Sequence, residues 1–331
     1  MSENPLVTIS MITYNQEKYV RDAVRGLLSQ TYEPLEIVIS DDHSTDKTWD
    51  VIVDEVEGYK HHGGIHRNII LNRNEKNMGI ILHAMHIRAL CHGVLRIGSA
   101  GDDICLPDRV AKIVERMLAF NNRPMAVMHR YERIDRCGRS LGIRDAPSVD
   151  FPLGAVSVFD INLHDGFPEI TERAAFEDHV FVLRALMKGE VVSIDDVLLK
   201  YRLGVGITSG GSFRGKRHRN AIGILAAARQ SRKDLEYMRS KLSIDKIKEV
   251  ERHIEFKLER YSQELVLCEG KHITERFNAF KRVFKYYSST RSLKLNCLIY
   301  ALPLVLPYHV GDLLFRPVQL LWELIRFMKY R

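Results

Sequence analysis

The chain has 331 residues, five cysteines and a net charge of +7 at neutral pH. The cysteines form no Cys-x-x-Cys pair and are odd in number, which argues against structural zinc and a disulfide framework. The charge is divided unevenly: residues 1–211 carry 24 Lys and Arg against 30 Asp and Glu, a net −6, and residues 212–331 carry 25 against 12, a net +13. No nucleic-acid motif accompanies the basic part, so an anionic membrane surface suits it better than nucleic acid. One domain of about 210–220 residues with an appendage of more than a hundred fits this length.

In chain order, residues 7–12 are a β-branched apolar run that stops at Thr13-Tyr14-Asn15, and a helical pattern covers 17–30. The same unit recurs: a strand over 36–40 stops at Asp41-Asp42-His43-Ser44-Thr45-Asp46 before a helix over 47–56. A third unit has a strand over 68–71, Asn77-Met78-Gly79, and a helix near 80–90. Strands alternating with helices predict a mostly parallel, Rossmann-like sheet with helices on both faces, whose ligands bind at the carboxyl ends of the strands.

A fourth strand, 94–97, leads into Ser99-Ala100-Gly101-Asp102-Asp103. Gly-Asp pairs are common turn formers. Two carboxylates at a strand's end also suit Mg²⁺ or Mn²⁺, which are held by one or two protein carboxylates together with substrate phosphates. Further on, Phe176-Glu177-Asp178-His179 precedes an apolar helical run, where acidic residues serve as a cap or as a base. His129 and Glu169, between these two motifs, are polar candidates for contact with a ligand hydroxyl. Residues 197–202 read as a strand ending in Tyr201-Arg202, and a Gly/Ser-rich segment over 204–212 is expected to hinge over substrate, with Arg202 and Arg214 flanking it.

The basic part begins with Ile247, Val250, Ile254, Leu258, Tyr261 and Leu265 at helical spacing. Residues 277–287 mix aromatic and cationic side chains; 295–310 is apolar but falls short of a spanning helix and contains Pro303 and Pro307. A final amphipathic helix over 312–329 has the pattern of one lying in a membrane plane. With its first strand starting at Val7, the chain is expected to lack a signal peptide and to reside in the cytoplasm, peripherally attached to the inner face of the membrane.

The blocks running from Val7 to Asn15, Ser29-Gln30-Thr31-Tyr32, Glu36 to Asp46, Asn77-Met78-Gly79, Gly101 to Arg109 and Glu177-Asp178 resemble, in order and spacing, the family 2 glycosyltransferases of the GT-A fold. The resemblance covers roughly the first 210 residues. It implies a catalytic domain over 1–213, with 214–331 as a helical, membrane-associating region, and a place among the enzymes that build bacterial O-antigen or capsule. It also implies nucleotide contacts from Thr13, Tyr14, Asn15, Glu17, Asp41, Asp42, Asn77, Gly79, Asp102 and Arg202, Mn²⁺ or Mg²⁺ on Asp102 and Asp103, and Asp178 as the base. The partners implied are a UDP- or dTDP-sugar donor and a glycan or lipid-linked acceptor, with homo-oligomer formation left open.

A single base without a nucleophilic carboxylate implies inversion at the anomeric carbon, and the missing Gln-x-x-Arg-Trp implies one sugar added per encounter. Two departures stand out. His43 replaces the family's usual glycine, which keeps the turn provided that His adopts a left-handed conformation. Ala100 replaces the first Asp of the metal motif, the feature that keeps open a non-catalytic nucleotide-sugar-binding or scaffold role.

Overall fold

The computed structural model describes residues 4–62, 67–119, 125–172, 174–205, 212–270 and 272–286, with 301, 304 and 305. The first three strands, β1 (Val7–Thr13), β2 (Leu35–Asp41) and β3 (Asn68–Arg73), are parallel, in the order β3-β2-β1. They are joined by α1 (Val20–Leu28) and α2 (Thr48–His61); α3 (Ile80–Arg88) leads to β4 (Leu95–Ala100), parallel to β1 on its other side. Their Val, Ile and Leu content follows from burial: β2 is buried at every position, as expected for a parallel strand covered on both faces.

After β4 come β5 (Ile104–Cys105), α4 (Arg109–Leu118), β6 (Ala126–Ile134), β7 (Ser140–Arg144) and β8 (Ser157–Asp160). Then α5 (Glu177–Lys188) and the long β9 (Val191–Arg202) follow. The sheet continues β4-β8-β6-β9-β5, with β8 antiparallel to both neighbours, so the expected alternation of strand and helix holds only through β4. In register, Ile12 of β1 lies beside Ala100 of β4, and Thr13 beside Asp41 of β2. That alignment brings three polar loops to one edge of the sheet.

Three helices close the described chain: α6 (Phe213–Met238), α7 (Ile244–Glu269) and α8 (Ile273–Tyr286). One hydrophobic core joins Met128, Phe159 and Phe181 to Ala227, Leu235, Val250 and Ile254. The expected division at 213/214 therefore coincides with a helix start but with no break in packing. The predicted apolar face of α7 packs inward, with Val250, Ile254 and Tyr261 all buried. The predicted apolar piece at 295–310 and amphipathic helix at 312–329 lie, save for Ala301, Leu304 and Val305, outside the described residues; those three are buried beside Leu267, Phe280 and Val283. No helix among the described residues is long and apolar enough to cross a membrane.

A buried ion pair fastens α5 to α6. Arg184 donates to Asp234 through Nε at 2.7 Å and Nη2 at 3.0 Å, and Gln230 donates to the same carboxylate at 3.0 Å. Both side chains are nearly inaccessible, at 2% and 0%. Removing one member of such a pair leaves the other charge buried alone, so Arg184→Met is expected to lower stability by about 3–5 kcal/mol. Urea denaturation measures this, and a loss below about 1 kcal/mol would be the signature of a solvated surface pair instead.

Candidate active site

A cavity of about 490 Å³ opens where β1, β2 and β4 end, and it reaches down the sheet face toward α3 and α5. Thr13, Tyr14, Asp42, Asn77, Gly79, Asp102, Asp103 and Asp178 all line it. Each was expected from sequence to be a site residue.

The loop after β2 is shaped by Asp41 and Asp42 in different ways. Asp42 faces the cavity while its carboxylate accepts Met78 N at 2.8 Å, Gly79 N at 3.0 Å and Asn74 Nδ2 at 2.8 Å. It thereby folds the 74–79 loop over the site, and Gly79, at φ +77°, takes the left-handed bend that side chains resist. His43 does adopt the left-handed conformation, at φ 59°, with its Nδ1 3.1 Å from Asn74 O.

Four expected nucleotide contacts stand outside the cavity wall. Asp41 is fully buried and accepts from Thr13 Oγ1 at 3.0 Å and Ser44 N at 2.9 Å, so it braces the turn. Asn15, itself at φ 52°, accepts Thr45 N through Oδ1 at 2.9 Å. Glu17 is exposed and accepts Lys47 N at 3.2 Å. Arg202 is buried: its Nε donates to Asp102 O at 3.0 Å, its Nη2 pairs with Asp22 at 3.2 Å, and its backbone N donates to Asp103 Oδ1 at 2.8 Å. It positions the Asp102-Asp103 turn, and its guanidinium is turned to protein partners. Arg214 likewise donates to Leu267 O at 2.9 Å and Leu304 O at 3.1 Å, tying α6 to the end of α7. Most of the Gly/Ser-rich segment between them, 206–211, is outside the described residues. His129 is sealed in the core, accepting from Arg109 Nε at 3.2 Å, and lines no part of the cavity.

The Asp102-Asp103 turn is pressed against the end of β1: a Cβ at Gly101 would fall 2.6 Å from Thr13 Cγ2 and 2.5 Å from Gln16 Oε1. Burial raises the carboxyls of both aspartates, and Asp103 rises well above the usual range as Asp102 adds its charge. Asp103 Oδ2 is buried without a hydrogen-bond partner. Two crowded carboxylates with an unsatisfied oxygen fit a divalent cation, which would supply the missing positive charge. Among the described residues no group of three or more His, Cys, Asp or Glu gathers here, so the protein's share of such a site is this pair.

On the opposite wall, α5 begins with Glu177 and Asp178. Asp178 accepts His179 N at 2.8 Å and Gly154 N at 3.2 Å, bonds that fix its carboxylate at the helix start. Burial pushes Asp178 up to about 6, against those hydrogen bonds and the charge of Lys257. Glu177 is pushed to about 8 by burial and by Asp178. Lys257, from α7, is fully buried behind this wall. Its Nζ donates to Asp150 O at 2.8 Å, Val149 O at 2.9 Å and His179 Nδ1 at 3.1 Å, and burial pulls it down to about 8. Sequence reading passed over Lys257, because its spacing along α7 marks only the buried face. It also passed over Arg96 and Tyr201 as cavity residues, although a charged Arg96 inside the apolar run Val94-Leu95-Arg96-Ile97 was a visible signal.

Residues 8–144 match the family model described as Glycosyl transferase family 2. The match covers less than half of the chain. An uncharacterized glycosyltransferase of Rickettsia typhi is 30% identical over 142 residues, spanning 42% of this chain and 40% of that protein. The chain thus matches less than half the length of that relative. A shorter stretch of 47 residues is 49% identical to the Escherichia coli UDP-Glc:alpha-D-GlcNAc-diphosphoundecaprenol beta-1,3-glucosyltransferase WfaP, covering 14% of this chain and 19% of that enzyme. In fold, the chain is similar to the mannosyltransferase PcManGT from Pyrobaculum calidifontis, solved with GDP-Man and Mn²⁺. The TM-score is 0.56 at 17% identity, over 91% of this chain and 87% of that one. The fold is GT-A.

Proposed function

We propose that the chain is an inverting, metal-dependent glycosyltransferase that moves one sugar from a nucleotide diphosphate sugar to a hydroxyl of a glycan or lipid-linked acceptor. The observation that carries this reading is the pairing, across one cavity, of the Asp102-Asp103 turn with an Asp178 carboxylate fixed by backbone N–H groups. Asp102 and Asp103 would hold Mn²⁺ or Mg²⁺; such an ion, when bound, offsets negative charge on a leaving diphosphate. Arg202 keeps their turn in place from behind. Asp178, ionised above about 6, is suited to accept the proton of an attacking hydroxyl. The loop folded by Asp42 closes over the nucleotide end of the cavity.

A role in bacterial surface polysaccharide, O-antigen or capsule, draws support from the short stretch shared with WfaP, which acts on a diphosphoundecaprenol-linked sugar. The net +13 of residues 212–331 supports peripheral attachment to an anionic membrane. The test is a screen of UDP-, dTDP- and GDP-sugars with Mn²⁺ or Mg²⁺. The expected result is release of nucleoside diphosphate from one donor, abolished by chelator. Neither release nor binding with any donor would retire the catalytic reading and leave the scaffold role suggested by Ala100.

A further inference from the structure

The floor of the cavity carries a cation with no protein anion to match it. Arg96 lies on β4 between Thr8 of β1 and Phe159 of β8, on the strand face shared with Gly98 and Ala100. It lines the cavity, and among the described residues its guanidinium has neither a hydrogen bond nor an ion pair. Burial pulls it below the usual arginine range, opposed by Cys91 and, more weakly, by Glu177. Glu177 also lines the cavity but stands beyond ion-pair distance, and its own carboxyl is pushed to about 8, which leaves it largely neutral at pH 7.

The way from the Asp102-Asp103 turn to Arg96 is open. A Cβ added at Gly98 would meet nothing within 4 Å, and Ala100 adds only a methyl. At about 3.3 Å per residue along a strand, Arg96 is about 13 Å from Ala100. Its backbone thus stands well down the strand from the turn that would hold a diphosphate. An anion that meets Arg96 therefore sits away from that turn, in the part of the cavity that Phe159, Glu177 and Phe181 also line.

We propose that Arg96 is a specificity residue for a carboxylated sugar, a uronic-acid type of ring whose carboxylate takes both arms of the guanidinium. The planar fork matches a carboxylate bidentately. A protonated Glu177, on the same cavity wall, is a hydrogen-bond donor for such a carboxylate oxygen. The proposal rests on reading the cavity as a nucleotide-sugar site, and the carboxylated ring belongs either to the donor or to the acceptor.

Calorimetry separates the two sources. In the donor arm, UDP-glucuronate and UDP-glucose are titrated in Mn²⁺; in the acceptor arm, methyl β-glucuronide and methyl β-glucoside are titrated into protein saturated with UDP and Mn²⁺. If GDP or dTDP is the nucleotide that binds, it replaces UDP, with the matching uronate and neutral sugar. The carboxylated probe is expected to bind about ten- to a hundredfold more tightly than the neutral one in one arm, the range of a charge-assisted hydrogen bond. Arg96→Met is expected to erase that preference while leaving the neutral probe's affinity within threefold, and Arg96→Lys to retain part of it. Arg96→Gln serves if Arg96→Met fails to fold. Equal binding of both probes in both arms, with the nucleotide itself bound, overturns the assignment of Arg96 alone. Failure of every nucleotide to bind overturns the reading of the site and this proposal with it.

Discussion

Asp178→Asn is expected to lower turnover by about 10²–10⁴-fold, the range for loss of a general base, with nucleotide affinity unchanged. The amide keeps one oxygen, enough for the His179 N bond but not for the Gly154 N bond on the other oxygen, while the basicity goes. With Asp178 raised to about 6, the wild-type rate should fall as pH drops below that value, because the protonated carboxyl is too weak a base to take the hydroxyl's proton. The stability effect has the opposite sign. An acid whose folded value lies above the unfolded value of about 3.9 favours folding at low pH, and that contribution is lost as pH rises through about 6. At pH 7 the variant gives up the Gly154 N bond but also the cost of burying a charge, so it is expected to melt within a few degrees of wild type. A variant that melts much lower, binds nucleotide poorly and keeps a high residual rate would make Asp178 a cap and shift the base to Glu177.

Asp102→Ala is expected to have the larger effect, abolishing detectable turnover and the metal dependence of nucleotide binding. A bound divalent ion contributes several kcal/mol to stabilising charge on a leaving group, and each 1.4 kcal/mol or so is tenfold in rate, so a loss of about a thousandfold or more follows. Asp103 acts differently. Its Oδ1 receives Arg202 N, and Oδ2 is the buried oxygen without a partner. Asp103→Asn should keep the Arg202 bond and the melting temperature, and lose activity to a smaller extent than Asp102→Ala. Calorimetric titration of UDP with and without Mn²⁺ reads both variants. Full activity of Asp102→Ala, or of wild type in chelator, would overturn the metal assignment.

Local pattern made the nucleotide end of the site legible. β1, β2 and β4 are short apolar runs that stop at polar residues, and a parallel sheet puts such stops on one edge, which is why Thr13, Asp42 and Asp102 were found together. Less legible was which carboxylate of an adjacent pair faces outward. Asp41 and Asp42 differ by the pleat of one residue, and the partners that occupy Asp41, Thr13 and Ser44, come from folding of the turn. Arg202 looked like a phosphate ligand because its sequence neighbours gave no hint of Asp22, 180 residues away, as its partner. The antiparallel insertion of β8 was missed for a related reason: four residues between loops carry too little pattern to show direction. Of the helices after 213, α7 was expected from its periodicity, whereas the share of these helices in the core beside α5 depends on contacts that periodicity does not specify.

Lys257 gives those helices a thermodynamic consequence. A buried ammonium on α7 whose three acceptors all belong to residues 149–179 makes the basic half and the motif-bearing half depend on each other for charge solvation. A fragment ending near residue 213 would leave Val149 O and Asp150 O without their donor and bare the apolar surface that Val250 and Ile254 cover. The change of net charge along the sequence is thus no cleavage point: heat or denaturant should take both halves through a single cooperative transition, and the shortest fragment that still folds must extend through α7.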